Sequence, residues 1–304
     1  MSARPYILVV NGRKVRQPVF LIGAPYSGTD LLARALKRSA GFHVTMGQRA
    51  VVSVVHAFAR SPSIQRGRGD AATTVLRDAF AQAWQVSPYG CMACTAQCRE
   101  AGGASGNGVC VAERDIVRYG DASPDLIYCA AGLVEAFPDA RIVQIIRDGR
   151  DVVAGMLGDS GALSWFSPGV ANVESEFPNP FFGIETEEDR ESWPQLSPAG
   201  RCALRWRWSV RLAAQLHHSL AAAQLKTIRF EHLMGKPDEV LADLSRFTGT
   251  TVQAAEIRSA ARAARGRGRS RRSPGYEGSL SPQDIAEVEK IAGDELRRLG
   301  YALP

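Results

Sequence analysis

The chain has 304 residues, 45% apolar and 22% charged, the composition of an ordinary globular protein with room for one large domain or two small ones. No apolar run reaches the roughly 18 residues expected of a membrane span. The net charge of +6 is concentrated between Arg258 and Arg272, where RSAARAARGRGRSRR holds seven arginines in fifteen residues; no other basic patch interleaves with aromatics, so extended nucleic-acid binding is not expected.

The opening segment, MSARPYILVVNGRKVRQPVF, has no long apolar core after its basic start. It reads as a short lead strand rather than a signal peptide, which points to the cytoplasm. Next comes VFLIGAPYSGTD, residues 19–30. Val19 to Ile22 form a buried strand, Gly23 to Thr29 a turn, and LLARALKRSAGF a helix by its apolar spacing. Strand, glycine turn and helix is the layout that aims backbone N–H groups at an anion. Gly23 and Gly28 keep the spacing of the P-loop G-x-x-x-x-G-K-[ST], but Thr29 and Asp30 stand where the Lys and Ser/Thr belong. A nucleotide kinase or NTPase would lack the lysine that reaches its phosphates.

HVTMGQRAVVSVVHAFAR suggests a second short strand and an apolar helix, SPSIQRGRGD a loop, and AATTVLRDAFAQAWQ another helix. Residues 89–111 are rich in cysteine and glycine, with Cys91-x₂-Cys94-x₃-Cys98-x₁₁-Cys110. A C-x-x-C pair with two further cysteines in a polar loop fits a tetrahedral structural zinc, which would order a stretch that has no strong apolar core. An iron–sulfur cluster, two disulfides or no metal are the alternatives, and disulfides fit poorly with a cytoplasmic chain. Cys129 and Cys202 fall on expected helices and read as small core residues.

DLIYCAAGLVEAFP is a helix ending before Pro138, and ARIVQIIRDGRDVVAGML a second strand-turn-helix. Its Arg147 and Arg150 stand at the C-terminal end of a central strand, where open α/β sheets bind ligands. An arginine there can grip a phosphate through two parallel hydrogen bonds. Asp148 and Asp151 would orient the arginines or cap the helix; a purely salt-bridged helix start is the alternative. Residues 158–198 show little periodicity and read as a long loop or lid. Its aromatics, Trp165, Phe166, Phe177, Phe181, Phe182 and Trp193, would either face a ring-bearing acceptor or pin the loop to the body. LRWRWSVRLAAQLHHSLAAA is a long helix and KTIRFEHL a strand and turn. PDEVLADLSRFTG and SPQDIAEVEKIAGDELRRLGY are helices with Pro237 and Pro282 in their first turns and Gly249 and Gly300 at their ends. Strands alternating with helices predict an α/β fold with a parallel sheet.

GAPYSGTD followed by RDGRDVV resembles the sulfotransferases that use 3′-phosphoadenosine-5′-phosphosulfate (PAPS). That family's first loop reads G-x-P-[RK]-S-G-T-T and its second motif R-[DN]-[PG]-[RK]-D. YGDASPDLIYCAAGLVEAFPDARIVQIIRDGRDV resembles its approach to the second motif. IRFEHLMGKPDEVLADLSRFTG is similar to its R-Y-E-D-L…P…L…F-x-G segment, and LSPQDIAEVEKIAGDELRRLGY to its C-terminal end. The resemblance covers most of the chain and leaves residues 89–111 and 158–198 as insertions. It implies a single domain over residues 1–304, built as a three-layer sandwich. It also implies in-line transfer of a sulfuryl group from PAPS, leaving 3′-phosphoadenosine-5′-phosphate (PAP), to a hydroxyl or amine of a small-molecule or carbohydrate acceptor.

By this resemblance Gly23, Ala24, Pro25, Tyr26, Ser27, Gly28, Thr29 and Asp30 wrap the 5′-phosphosulfate, and Arg147 takes the 3′-phosphate. Arg265, Arg267 and Arg269 would fold over the nucleotide. The missing lysine after Gly28 is expected, because in this family the loop's cation precedes the Ser. Three positions depart from the pattern. Tyr26 replaces the loop's Arg or Lys, Asp30 its second Thr, and Gly155 a Ser that contacts the 3′-phosphate. These departures keep a non-catalytic nucleotide- or zinc-binding module as an alternative. The acceptor's proton goes to a His or Glu in the family. Asp121, matching the acidic position of a G-E-K-T-P-like segment, and His43 are the candidates here, with Tyr26 as an uncharged donor in the loop. His56, in VVSVVHAFA, reads as a packed core histidine.

Overall fold

The computed structural model describes residues 7–67, 69–87, 90–91, 94–104, 109–266 and 275–303. At its centre is a parallel sheet of five strands: β1 (Val19–Ile22), β2 (Phe42–Thr45), β3 (Arg118–Asp121), β4 (Arg141–Ile146) and β5 (Leu225–Arg229). Their spatial order is β2–β3–β1–β4–β5. Val19 of β1 stands opposite Gly120 on one side and Arg141 on the other. The central strands VFLI and RIVQII are almost wholly apolar, as parallel strands covered on both faces must be.

The main helices are α1 (Thr29–Lys37), α2 (Arg49–Arg60), α3 (Gly69–Ala83), α4 (Ala96–Gly102), α5 (Gly149–Leu157), α6 (Pro198–Ser219), α7 (Pro237–Thr248), α8 (Ala255–Gly266) and α9 (Pro282–Arg298). They divide between the two faces. Phe20 and Ile22 join a core with Val55 of α2, Phe80 of α3, Val152 of α5, Trp206 of α6 and Val288 of α9. Val19 and Leu21 join a second core with Leu36 of α1, Cys98 of α4, Leu244 of α7 and Ile257 of α8. The fold is thus the expected α/β sandwich of three layers, with β1 and β4 in the middle and their C-terminal ends leading into α1 and α5.

Some local expectations change. The lead segment forms a small hairpin, Val9–Val10 against Arg13–Lys14. SPSIQRGRGD, read as a loop, holds a short helix, Pro62–Gly67, because a proline at a helix start needs no N–H partner. Residues 158–198 carry several short helical pieces, including Glu187–Ser192 with a capping box between Thr186 and Asp189. Phe181, Phe182 and Ile184 are fully buried in the first core, so most of that segment is fastened to the body. Pro282 and Gly249 take the expected helix-end positions, Gly249 at φ 67°. No helix among the described residues is long and apolar enough to cross a membrane.

Candidate active site

The loop between β1 and α1 leaves a helix start open to a ligand. Gly28 precedes α1 at φ 103° and offers no side-chain cap, so the first-turn N–H groups of α1 have no partner from it. A Cβ on Gly28 would lie 2.5 Å from the ring of Phe230, so both the dihedral and the contact require glycine. Ser27 is buried, and its hydroxyl has no hydrogen-bond partner. A buried hydroxyl without a partner is uncommon in a folded protein; in an anion-binding loop it is a donor in waiting. The exposed Asp30 sits in the first turn of α1.

Two departures from the family pattern prove to be one packing solution. A Cβ on Gly155 would come 2.7 Å from Cγ of Tyr26, so the aromatic ring occupies the room that a serine at 155 would need. The Tyr26 hydroxyl donates to Asp159 Oδ2, and Asp159 Oδ1 accepts from the Gly161 N–H at 2.8 Å, capping the helix Ser160–Ser164. Burial and then the Asp159 carboxylate push the Tyr26 phenol up from its ordinary range, so it stays neutral. Tyr26 therefore ties the loop to the start of the 158–198 segment and supplies no charge.

The second motif separates its two arginines. Arg150 is consumed by structure: it forms two hydrogen bonds to Asp148, at 2.8 and 3.1 Å, a third to Glu289 of α9 at 2.8 Å, and stacks on Tyr276. Asp148 also caps α5 through the Arg150 N–H at 3.0 Å. Arg147 is held beside the loop. Its Nη1 donates to the Tyr26 carbonyl at 3.2 Å, its guanidinium lies 4.5 Å from the Phe230 ring centre, and Asp151 is 3.7 Å away. Its Nε is buried without a partner. Phe230, which the sequence did not single out, thus braces both Gly28 and Arg147. Arg265 falls in the last turn of α8, and Arg267 and Arg269 lie outside the described residues.

A cavity of about 450 Å³ opens on the loop, bordered by Pro25, Tyr26, Thr29 and Asp30. Arg147 does not line it; that residue borders a separate small hollow with Ser27. The far wall of the cavity carries His56, Asp125, Trp165 and Arg205. His56 Nε2 stands 3.2 Å from Asp125 Oδ2, and Arg205 Nη2 donates to Asp125 Oδ1 at 2.8 Å. Burial pulls the Asp125 carboxyl up, but Arg205 and His56 outweigh it and hold the group below its ordinary range.

The two base candidates read from the sequence lie off this cavity. Asp121 is fully buried at the end of β3, accepting from the Thr45 hydroxyl and from the Ser123 N–H at 2.7 Å. Burial, opposed by those hydrogen bonds, pushes its carboxyl up to about 7. His43 is fully buried on β2 with neither ring nitrogen hydrogen-bonded, and burial, then Lys37, push it down to about 4. β2 and β3 are covered on both faces, which encloses both side chains, and neither lines the cavity. His56, read from the sequence as a packed core histidine, packs against Trp165 and Phe181 but is only partly buried and borders the cavity; its partner Asp125 is 69 residues away, and no local pattern joins them. The nearest available signal was Asp125, in the same YGDASPDLIY segment as Asp121.

The four clustered cysteines converge. The sulfurs of Cys91, Cys94 and Cys110 lie within 4.8 Å of one another, Cys94 Sγ is 3.5 Å from Cys110 Sγ, and Cys98 Sγ is 3.4 Å from Cys94 Sγ. A tetrahedral zinc with bonds of about 2.3 Å sets its sulfurs roughly 3.8 Å apart, so Cys91, Cys94 and Cys110 fit as three donors, with Cys98 beside Cys94 as the candidate for the fourth. None of the six cysteines forms a disulfide. The buried Lys37 of α1 donates to Cys98 Sγ at 3.3 Å and to the Val44 carbonyl at 2.7 Å, placing a cation against the sulfurs. Cys129 and Cys202 are buried in the first core, as read from the sequence.

No curated protein matches the chain. Solved structures do. The sulfotransferase domain from the Synechococcus PCC 7002 olefin synthase is 13% identical, over 95% of this chain and 96% of that one, with a TM-score of 0.47. The sulfotransferase domain from the curacin biosynthetic pathway is 14% identical over 95% and 99%, with a TM-score of 0.49. A mouse sulfotransferase complexed with PAP is 11% identical over 92% and 85%, with a TM-score of 0.42. The model of the sulfotransferase family matches residues 18–176, just over half of the chain and inclusive of both strand-turn-helix motifs, and the protein belongs to that family.

Proposed function

We propose that this protein moves a sulfuryl group from PAPS to a hydroxyl or amine of a small-molecule or carbohydrate acceptor. The observation that carries the reading is the set of unpaired donors around one loop: the uncapped start of α1, the Ser27 hydroxyl, and beside the loop Arg147 with a buried unpaired Nε. A nucleotide with phosphates on both its 5′ and 3′ ends would use the helix start and Arg147 separately, whereas a linear triphosphate finds no lysine after Gly28. Backbone N–H groups at the helix start would neutralise charge on the leaving 5′-phosphate as the sulfur–oxygen bond breaks. The acceptor would occupy the cavity beyond Tyr26 and Thr29.

The test is a thermal-shift comparison. PAP should raise the melting temperature clearly, with ADP and ATP at equal concentration weaker and with no need for magnesium. Arg147→Ala should lower PAP affinity by about 2–4 kcal/mol while the fold persists. Tight, magnesium-dependent ATP binding with no preference for PAP would overturn the reading in favour of a kinase. PAP binding with no consumption of labelled PAPS would leave a binding module.

Cys91, Cys94, Cys98 and Cys110 are read as the ligands of one structural zinc, supported by the convergence of the Cys91, Cys94 and Cys110 sulfurs and the contact of Cys98 with Cys94. When bound, the metal would cross-link the 89–111 segment; it has no part in the transfer. Metal analysis should give about one zinc per chain; a brown, iron-containing protein would replace zinc with a cluster.

A further inference from the structure

The loop and the 5′ end of the donor explain the near wall of the cavity; the far wall has chemistry of its own. His56, Asp125 and Arg205 stand in a hydrogen-bonded row along that wall. Arg205 is 1% exposed, Asp125 7%, and His56 reaches the cavity itself. Asp125 uses one oxygen for Arg205 at 2.8 Å and the other for His56 Nε2 at 3.2 Å. The Arg205 guanidinium is also packed 4.2 Å from the Phe181 ring centre, and Tyr128 donates to the Arg205 carbonyl at 3.0 Å. The carboxylate is therefore fixed from behind, and it fixes the imidazole in turn. Trp165 meets the His56 ring edge-on at 4.7 Å between centres. The other charged or titratable groups around the cavity are Tyr26, Asp30 and Asp159, and Arg60, one turn along α2, lies over Trp165.

We propose that His56 is the base that takes the acceptor's proton, with Asp125 and Arg205 as its positioning residues. The proposal rests on the sulfuryl-transfer reading above. With Nε2 directed at Asp125, the acceptor's O–H or N–H proton passes to Nδ1. The acceptor oxygen or nitrogen forms its bond to sulfur as the bond from sulfur to the 5′-phosphate oxygen breaks, and that electron pair leaves with PAP. Asp125 accepts the Nε2–H hydrogen bond and balances the imidazolium charge; it takes no proton. This order of groups gives the buried carboxylate–guanidinium pair a purpose that packing does not require, since an apolar pair would fill the same space at lower desolvation cost.

The experiment measures PAP formation from PAPS, with water alone and with 2-naphthol as acceptor, in the whole chain. His56→Gln and His56→Ala should bind PAP with an undiminished thermal shift and lose roughly 10²–10⁴ in turnover. Free imidazole should restore part of the rate in His56→Ala, an effect that a merely structural histidine would not show. Asp125→Asn should lower kcat while leaving PAP affinity in place. Turnover within about threefold of the parent in a His56 variant that binds PAP would overturn the proposal and leave the sulfotransferase reading intact. If both His56 variants fail to fold, a parent rate that does not fall as pH drops toward protonation of imidazole overturns it instead. Parent protein that binds PAP and consumes no PAPS under either condition would overturn both.

Discussion

Tyr26 and Gly155 show how two apparent defects become one arrangement. Taken singly, each removes a ligand for the nucleotide. In three dimensions the Tyr26 ring lies against the bare Cα of residue 155, and its hydroxyl is spent on Asp159. Gly155→Ser should therefore overpack the contact and cost about 1–3 kcal/mol of stability. Tyr26→Lys removes the ring, so adding it should recover most of that loss. A denaturation cycle on the two single variants and the double variant checks this. Additive costs would mean that the ring is not what excludes the serine. Because the two sites are 129 positions apart, no local reading of either residue could have joined them. His56 and Asp125 teach the same lesson at the far wall.

Among the elements, the segment after β5 connects the motifs. Phe230 braces Gly28 and Arg147, and Glu231 accepts from the Asp148 N–H at 3.0 Å and from Tyr301 near the C-terminus. The motifs that looked like separate sequence signatures are the parts of one bracket around the ends of β1 and β4. The cysteine segment braces α1 from the other end. Lys37 reaches Cys98, and Arg38 donates to the Ala101 carbonyl at 3.0 Å. With the proposed zinc in place, loss of one of its ligands should loosen α1, whose start follows the Gly23–Gly28 loop. Cys94→Ser should lower the melting temperature and the zinc content together, and a chelator should do the same to the parent protein. Metal-free protein of unchanged melting temperature would contradict this.

For the molecule as a whole, two fully buried groups should contribute pH sensitivity with opposite signs. His43, pushed down to about 4, contributes stability that is lost as pH falls. The ordinary value of Asp121 near 3.8 is raised in the fold to about 7. Between those limits the folded chain binds a proton there that the unfolded chain has released, so the contribution of Asp121 is greatest at the acid end of the window and falls as pH rises toward 7. Asp121→Asn keeps the shape without the charge and should flatten that slope, giving a relative gain at pH 8 over pH 5 in chemical denaturation. Turnover should change little. A variant with the parent's full slope would place the titration elsewhere.

The α/β class, the parallel central strands, the two strand-turn-helix motifs and the cysteine cluster were legible in the sequence because each is local. Apolar runs of four to six residues, glycines at fixed offsets and short cysteine spacings are set by the geometry of a few adjacent peptides. Capping prolines and glycines belong to the same class, being read from backbone dihedrals alone. The tertiary structure decided what depends on distance between segments: that Arg150 is locked to Asp148 and Glu289 while Arg147 borders the loop, that Asp121 and His43 are buried off the cavity, and that His56 meets Asp125 on its far wall. It also decided that Phe181 and Phe182 are core while Trp165 lines the cavity. Side-chain type states which chemistry a residue can perform; the packing of the sheet and its helices determines which residues share a space in which to perform it.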